Sequence, residues 1–165
     1  MQIIKLILLQ TYWYVSIKYG SNVFVPFAGL ILWCLDFLFF REKEKLQKRY
    51  VIFSVVLILS GMMMDQVFNV LGALKWGDKF YPLELVGVWV IFPAYYYQFF
   101  RKFKNPKWLS FVMGAVFGPV AYVSGGRINS SLVLSLELPY LIIISVLWGV
   151  FFKVSLDVFV SSRSS

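Results

Sequence analysis

The sequence contains no histidine and a single cysteine, Cys34. Zinc, haem and iron–sulfur centres therefore lack their usual ligands. The same scarcity excludes a Ser-His-Asp or Cys-His catalytic pair and an intrachain disulfide. Cys34 stands in an apolar run, and we interpret it as a small buried hydrophobe. From the residues alone we assign no metal site, no cofactor and no catalytic residue.

Charged residues are also scarce, at 15% of 165 residues, whereas hydrophobic residues make up 60%. A soluble domain of this length has too much surface to cover with so few polar side chains. A lipid bilayer removes that requirement, because lipid tails solvate an apolar exterior. The composition therefore indicates an integral membrane protein.

Six apolar runs are visible, each near the length of about 20 residues that a helix needs to cross the hydrocarbon core. Pro82 and Pro106 stand near the starts of two of them, where proline suits the first helical turn. We predict an all-α, polytopic membrane helix bundle of about six transmembrane helices, forming one membrane domain over residues 1–165. The predicted spans are 3–19, 23–40, 50–74, 82–100, 106–124 and 136–153.

The Lys and Arg residues are distributed unevenly between the loops on the two sides of these spans. With a cytoplasmic N-terminus, the outer loops hold only four of them: Lys18, Lys75, Lys79 and Arg127. The cytoplasmic loops and tails hold the other twelve: Lys5, Arg41, Lys43, Lys45, Lys48, Arg49, Arg101, Lys102, Lys104, Lys107, Lys153 and Arg163. This bias places both termini in the cytoplasm. It also explains the formal charge of +8 without nucleic acid as a partner.

Asp65 is the most informative residue of the third run. It lies about three residues past the middle of that span, hence roughly 5 Å from the bilayer midplane. Inserting a carboxylate at this depth of the membrane costs on the order of 3 kcal/mol. The group therefore requires a hydrogen-bonding partner, protonation or access to water. Asn69 is one turn further on the same face. Hydrogen bonding between helices and a functional polar pocket are equally compatible with this placement.

Arg127 is the cation that we consider for Asp65, since it falls on the same outer side. In straight helices a depth difference of roughly 12 Å separates the two residues. A direct pair therefore requires the fifth helix to break or re-enter near Gly118 and Pro119. A link through water or Asn69 is the alternative. We predict a polar pocket lined by Asp65, Asn69, Arg127, Gln10 and Tyr122.

Gly114 and Gly118 form a GxxxG spacing on the fifth span, followed directly by Pro119. Small residues four apart allow a second helix to approach closely. We favour packing within the chain over a dimer interface, and the oligomeric state stays open.

Two stretches of the sequence resemble a known family. The first is residues 61–66 (GMMMDQ), followed by Asn69 and the Leu-Gly pair at 71–72. The second is residues 114–119 (GAVFGP), followed by Tyr122 and Arg127. Both are similar to motifs of small bacterial inner-membrane proteins grouped as domain-of-unknown-function family 2878. An N-terminal Gln-x-x-Trp pattern of the family also matches here, at residues 10–13.

The sequence departs from the family pattern at two places. Residues 124–126 read SGG where the family pattern has Ala-Gly-Ala, and residues 86–89 read VGVW where relatives keep small and Asn residues. The resemblance implies a location in the bacterial inner membrane. Family genes often neighbour those for cyclopropane-fatty-acid-type methyltransferases, which implies work connected with membrane lipids.

We favour a non-catalytic accessory module linked to fatty-acyl modification of membrane lipids. Its partners would be membrane lipids or a membrane-associated lipid-modifying enzyme. A small proton-coupled transporter that uses Asp65 is the alternative. An intramembrane enzyme acting on lipid ranks third, because the sequence offers no histidine and no second deep carboxylate to work with Asp65.

The six-span topology predicts which loops a membrane-impermeant maleimide reaches. In a Cys34→Ser background, Asn22→Cys is expected to react from outside the cell. Lys45→Cys is expected to react only after permeabilisation. Labelling of residue 22 from the cytoplasmic side alone would contradict the six-span topology.

Overall fold

The computed structural model describes residues 2–39, 44–99 and 107–161. Within these ranges the chain forms six α-helices, one in each apolar run, so the predicted all-α class is confirmed. The helices are α1 (Gln2–Tyr19), α2 (Phe24–Phe39), α3 (Glu44–Val70), α4 (Leu83–Phe99), α5 (Lys107–Ile128) and α6 (Leu138–Ser161). Parts of the predicted basic loops, residues 40–43 and 100–106, lie outside the described residues.

Three of the described helices contain segments long and apolar enough to cross a membrane. These segments are Tyr50–Val70 in α3, Trp108–Ile128 in α5 and Leu138–Val158 in α6. Shorter apolar segments occupy Phe24–Leu35 in α2 and Leu83–Ala94 in α4. The structure therefore supports membrane crossing by three helices. Six spans, the inner-membrane location and cytoplasmic termini stay predictions.

The outward face of α6 illustrates why lipid is a suitable solvent for these helices. A β-branched residue recurs every four positions along it, and each is between 45% and 61% exposed. The five residues are Ile142, Val146, Val150, Val154 and Val158. A continuous apolar stripe of this length is unfavourable in water, whereas acyl chains cover it at no cost.

The chain divides into two compact units, the first comprising residues 1–63 and 79–95. Two small residues, Ser16 of α1 and Gly20 directly after α1, allow close packing on α4 in this unit. Ser16 and Gly20 are four residues apart, and a Cβ on Gly20 would lie 2.7 Å from the Cα atom of Glu84 in α4. The Ser16 hydroxyl also donates to the Glu84 carbonyl oxygen at 2.9 Å. The first turn of α4 is therefore in direct contact with the backbone of α1.

The second unit comprises residues 64–78 and 96–165, and it contains the α5–α6 pair. Gly114 and Gly118 of α5 both lie against Trp148 of α6. A Cβ on Gly114 would be 2.4 Å from the Trp148 carbonyl oxygen, and a Cβ on Gly118 would be 2.3 Å from the indole ring. In this structure the two glycines thus pack within the chain. Pro119 lies inside α5, which is one helix from Lys107 to Ile128.

The end of α3 explains the Leu-Gly pair at 71–72. Gly72 has a φ of 78°, the left-handed conformation that glycine adopts without a Cβ penalty. The Gly72 amide donates to the Asn69 carbonyl at 3.0 Å, and the Ala73 amide donates to the Phe68 carbonyl at 2.9 Å. These two bonds form a Schellman motif. The helix therefore ends at Val70, four residues before the end of the predicted third span.

A two-stranded antiparallel sheet follows this helix end, and sequence analysis did not predict it. Strand β1 (Leu74–Lys75) pairs with β2 (Val133–Leu134), with Leu74 opposite Leu134. The Ser135 amide extends the pairing with a 2.9 Å bond to the Ala73 carbonyl. The sheet joins the loop after α3 to the loop between α5 and α6.

The contact between Gly114 and Trp148 predicts that Gly114→Ala destabilises the protein by about 1–3 kcal/mol, because the added methyl group meets backbone that cannot easily move. In an exposed helix the same change would be stabilising. Val116→Ala is the matched control, since Val116 is 54% exposed on the same helix. Unfolding in mixed detergent micelles measures both. A Gly114→Ala protein as stable as the wild type would contradict this packing.

Candidate functional site

The side chain of Asp65 is wholly buried in the second unit, at 0% exposure. The Tyr122 hydroxyl, on α5, donates a hydrogen bond to Asp65 Oδ1. The two residues are 57 positions apart in the chain. Asp65 is five residues past the middle of the segment Tyr50–Val70, a distance of about 7.5 Å along the helix. A deep carboxylate and a tyrosine hydroxyl thus form the polar centre of this unit.

Aromatic rings surround the Tyr122 ring. Phe68, one turn after Asp65 and 0% exposed, meets it edge to face with ring centroids 5.8 Å apart. Trp148 of α6 meets it at 6.0 Å, also edge to face. Edge-to-face contacts are the favoured geometry for aromatic pairs, and they limit the rotation of the tyrosine ring. The hydroxyl is therefore held toward Asp65.

The sequence of α5 explains why Tyr122 reaches this position. Gly114, Gly118 and Tyr122 follow one another at intervals of four residues, so they share one face of the helix. The two glycines bring that face close to Trp148. The larger Tyr122 then contacts the same indole ring one turn further along. The GxxxG spacing therefore contributes to the site by positioning the tyrosine.

The other residues of the predicted pocket have different surroundings. Asn69 is half-buried one turn after Asp65. Its backbone carbonyl oxygen accepts a hydrogen bond from the amide of Gly72, at the end of the helix. Arg127 is exposed in the last turn of α5. Gln10 is exposed and belongs to the first unit. The structure thus brings Asp65 and Tyr122 together, and the grouping of all five residues in one pocket stays a prediction.

Glu84 is a second buried acid, and sequence analysis did not single it out. It lies in the first turn of α4 and is 1% exposed. Its Oε1 atom is 3.3 Å from Lys79 Nζ, whereas its Oε2 atom is buried without a hydrogen-bond partner. An acid at the start of an apolar helix usually reaches water or headgroups, so its position in the sequence did not reveal the burial. The sequence feature that could have indicated a paired acid here is Lys79, five residues before Glu84.

In the parts of the chain that the structure describes, no group of three or more His, Cys, Asp or Glu side chains is placed to hold a metal ion. The carboxylate of Asp65 and the hydroxyl of Tyr122 are groups that form hydrogen bonds and can exchange protons.

These features define a class: an all-helical protein with three helices able to cross a membrane and a buried carboxylate in one of them. The model of the family described as "Protein of unknown function (DUF2878)" matches residues 2–154. The chain belongs to this family, as the resemblance in its sequence motifs predicted. No curated protein and no solved structure matches the chain.

A double-mutant cycle tests the Asp65–Tyr122 bond. Tyr122→Phe removes the hydroxyl and keeps the ring contacts, so its cost is expected to be about 0.5–2 kcal/mol. In an Asp65→Asn background, the same change is expected to cost less, because the acceptor has lost its charge. Unfolding in detergent gives the four free energies.

Tyr140→Phe is the control for loss of a tyrosine hydroxyl, since Tyr140 is half-buried on α6. Its effect is expected to be independent of residue 65. Equal costs of Tyr122→Phe in both backgrounds would show that the two side chains do not interact.

Proposed function

We propose that the protein is a non-catalytic membrane module that binds a membrane lipid through the Asp65–Tyr122 site. It would serve as an accessory to enzymes that modify the fatty-acyl chains of lipids. The burial of Asp65 in a helix long and apolar enough to cross a membrane is the observation that supports this proposal.

The energetics argue for more than a packing role. A carboxylate deep in a membrane helix costs roughly 2.5–3.5 kcal/mol, whereas a hydrogen bond between membrane helices returns about 0.6–1.7 kcal/mol. A serine or asparagine would bond Tyr122 at a lower cost. Intramembrane acids are for this reason functional by default. A lipid whose hydroxyl or amine donates to the carboxylate would add a charge-assisted hydrogen bond at this site.

The surroundings of the site suit a lipid. Tyr122 is half-buried, so part of it faces the exterior of its unit. The exposed side of α5 carries Val116 and Val120, each more than half exposed, as contacts for acyl chains. Arg127 is exposed in the last turn of the same helix, where a headgroup phosphate would lie.

Mass spectrometry of the protein extracted in native lipid discs tests the proposal. A lipid class is expected to be enriched with the wild type, and Asp65→Asn is expected to lower that enrichment about tenfold, because one charge-assisted hydrogen bond is lost. Ser54→Ala is the control, since Ser54 is also fully buried on α3 and its hydroxyl has no partner. Identical lipid profiles for wild type and Asp65→Asn would reject the lipid site. A co-purifying enzyme in place of a lipid would assign the site to that partner.

A small proton-coupled transporter is the second candidate. Pro119 lies inside α5, three residues before Tyr122, and proline removes a backbone hydrogen bond next to the buried acid. Deep carboxylates that exchange protons are typical of proton-coupled carriers. A pH-dependent flux in proteoliposomes that Asp65→Asn abolishes and Ser54→Ala preserves would favour transport over the accessory role.

A further inference from the structure

Glu84 presents a carboxylate that its own chain satisfies on one oxygen only. Oε1 lies 3.3 Å from the Lys79 ammonium, and Oε2 is buried without a donor. The Glu84 side chain is 2% exposed, whereas that of Lys79 is 48% exposed. A buried carboxylate oxygen without a partner is unfavourable, and such positions in native proteins require an explanation.

The packing of α1 against α4 keeps Glu84 in this position. Ser16 donates to the Glu84 carbonyl oxygen, and Gly20 brings the α1 backbone against the Glu84 Cα atom. These contacts are to the carbonyl oxygen, Cα and Cγ atoms of Glu84, so they position the residue without donating to its carboxylate. The first turn of α4 thus holds Oε2 in a defined place and supplies it with no donor.

The predicted fourth span, residues 82–100, would place the first turn of α4 at the headgroup level of a bilayer. Glu84 is the second residue of a helix of 17 residues, whose length of about 25 Å is close to that of the hydrocarbon core. Phe80 is 92% exposed and Leu83 is 38% exposed on either side of this turn. A charged pair therefore lies beside apolar side chains that can contact acyl chains.

We propose that Lys79 and Glu84 form a binding site for a zwitterionic phospholipid that carries a primary ammonium group, as in an ethanolamine headgroup. The lipid ammonium donates to Glu84 Oε2, and its phosphate accepts from the half-exposed Lys79 ammonium. The site places an ammonium and a carboxylate side by side, in the charge arrangement that complements a phosphate joined to an ammonium.

The chemistry distinguishes this headgroup from two others. A choline headgroup has the same charges, but its methylated nitrogen has no N–H to donate to a carboxylate oxygen. A glycerol headgroup has the phosphate and lacks the cation, so it would leave the Glu84 charge without a counter-charge. The donor that Oε2 lacks is therefore supplied best by the primary ammonium.

The site is independent of the proposed role of Asp65 and Tyr122. Neither of those residues belongs to it, and neither is changed in the experiment below. Loss of ammonium-lipid selectivity at Glu84 and loss of lipid enrichment in Asp65→Asn are separate results.

Native mass spectrometry of the purified full chain tests the proposal, with dioleoyl lipids that differ only in their ethanolamine, choline or glycerol headgroup. The wild type is expected to bind the ethanolamine lipid about tenfold more tightly than the choline lipid. Glu84→Gln is expected to abolish this preference. Glu137→Gln is the matched control, because Glu137 is an exposed acid directly before another helix, and it is expected to leave the preference unchanged.

A second variant keeps the test decisive if Glu84→Gln does not fold. Lys79→Met leaves Glu84 in place, so the ethanolamine preference over choline is expected to persist while all three phospholipids bind more weakly. Lys75→Met, at an exposed lysine, is the control for lost positive charge. Equal binding of ethanolamine and choline lipids by the wild type would overturn the proposal. Tightest binding of the glycerol lipid, unaffected by Glu84→Gln, would overturn it as well.

Discussion

A carboxylate placed within an apolar helix has to find its hydrogen-bond donors inside the protein. Asp65 meets this requirement through Tyr122, which donates to it across 57 positions of sequence. This bond connects α3 to α5 within the second unit. Tyr122 reaches Asp65 because α5 lies close to α6, and this approach depends on Gly114 and Gly118 beside Trp148. Phe68 and Trp148 then surround the tyrosine ring with edge-to-face contacts.

The exposed faces of the long helices differ from the surface of a soluble protein. The fully buried polar residues include Ser16, Ser54 and Asp65, whereas the exposed faces of the long helices are apolar. Where lipid is the solvent, apolar burial provides no driving force between helices, and close contact with hydrogen bonding takes its place. Small residues at helix contacts are the expected consequence. The same reasoning applies to Ser16 and Gly20 in the first unit, where they bring α1 onto α4.

The two buried acids, Asp65 and Glu84, differ in the hydrogen bonds that their carboxylates accept. Asp65 is held by a tyrosine within a membrane-length segment, a neutral donor that lets the carboxylate remain in a mainly apolar environment. Glu84 lies at the first turn of α4 and pairs with Lys79, a cation with 48% of its side chain exposed. One oxygen of Glu84 is left without a donor. The carboxylate of Asp65 thus has a donor within its own unit, whereas one carboxylate oxygen of Glu84 is buried without one.

The sequence by itself determined the helical class and the positions of the six described helices, and it singled out Asp65 as an acid within an apolar run. These follow from hydropathy along the chain, which is a local property, and from the cost of an acid in an apolar run. It also carried the family motifs, including the Leu-Gly pair at 71–72 that ends α3. Only the tertiary structure decided that Tyr122 is the donor to Asp65 while Arg127 is exposed, and that Glu84 is buried beside Lys79. Such pairings depend on the rotation and separation of packed helices, and no local pattern encodes either quantity.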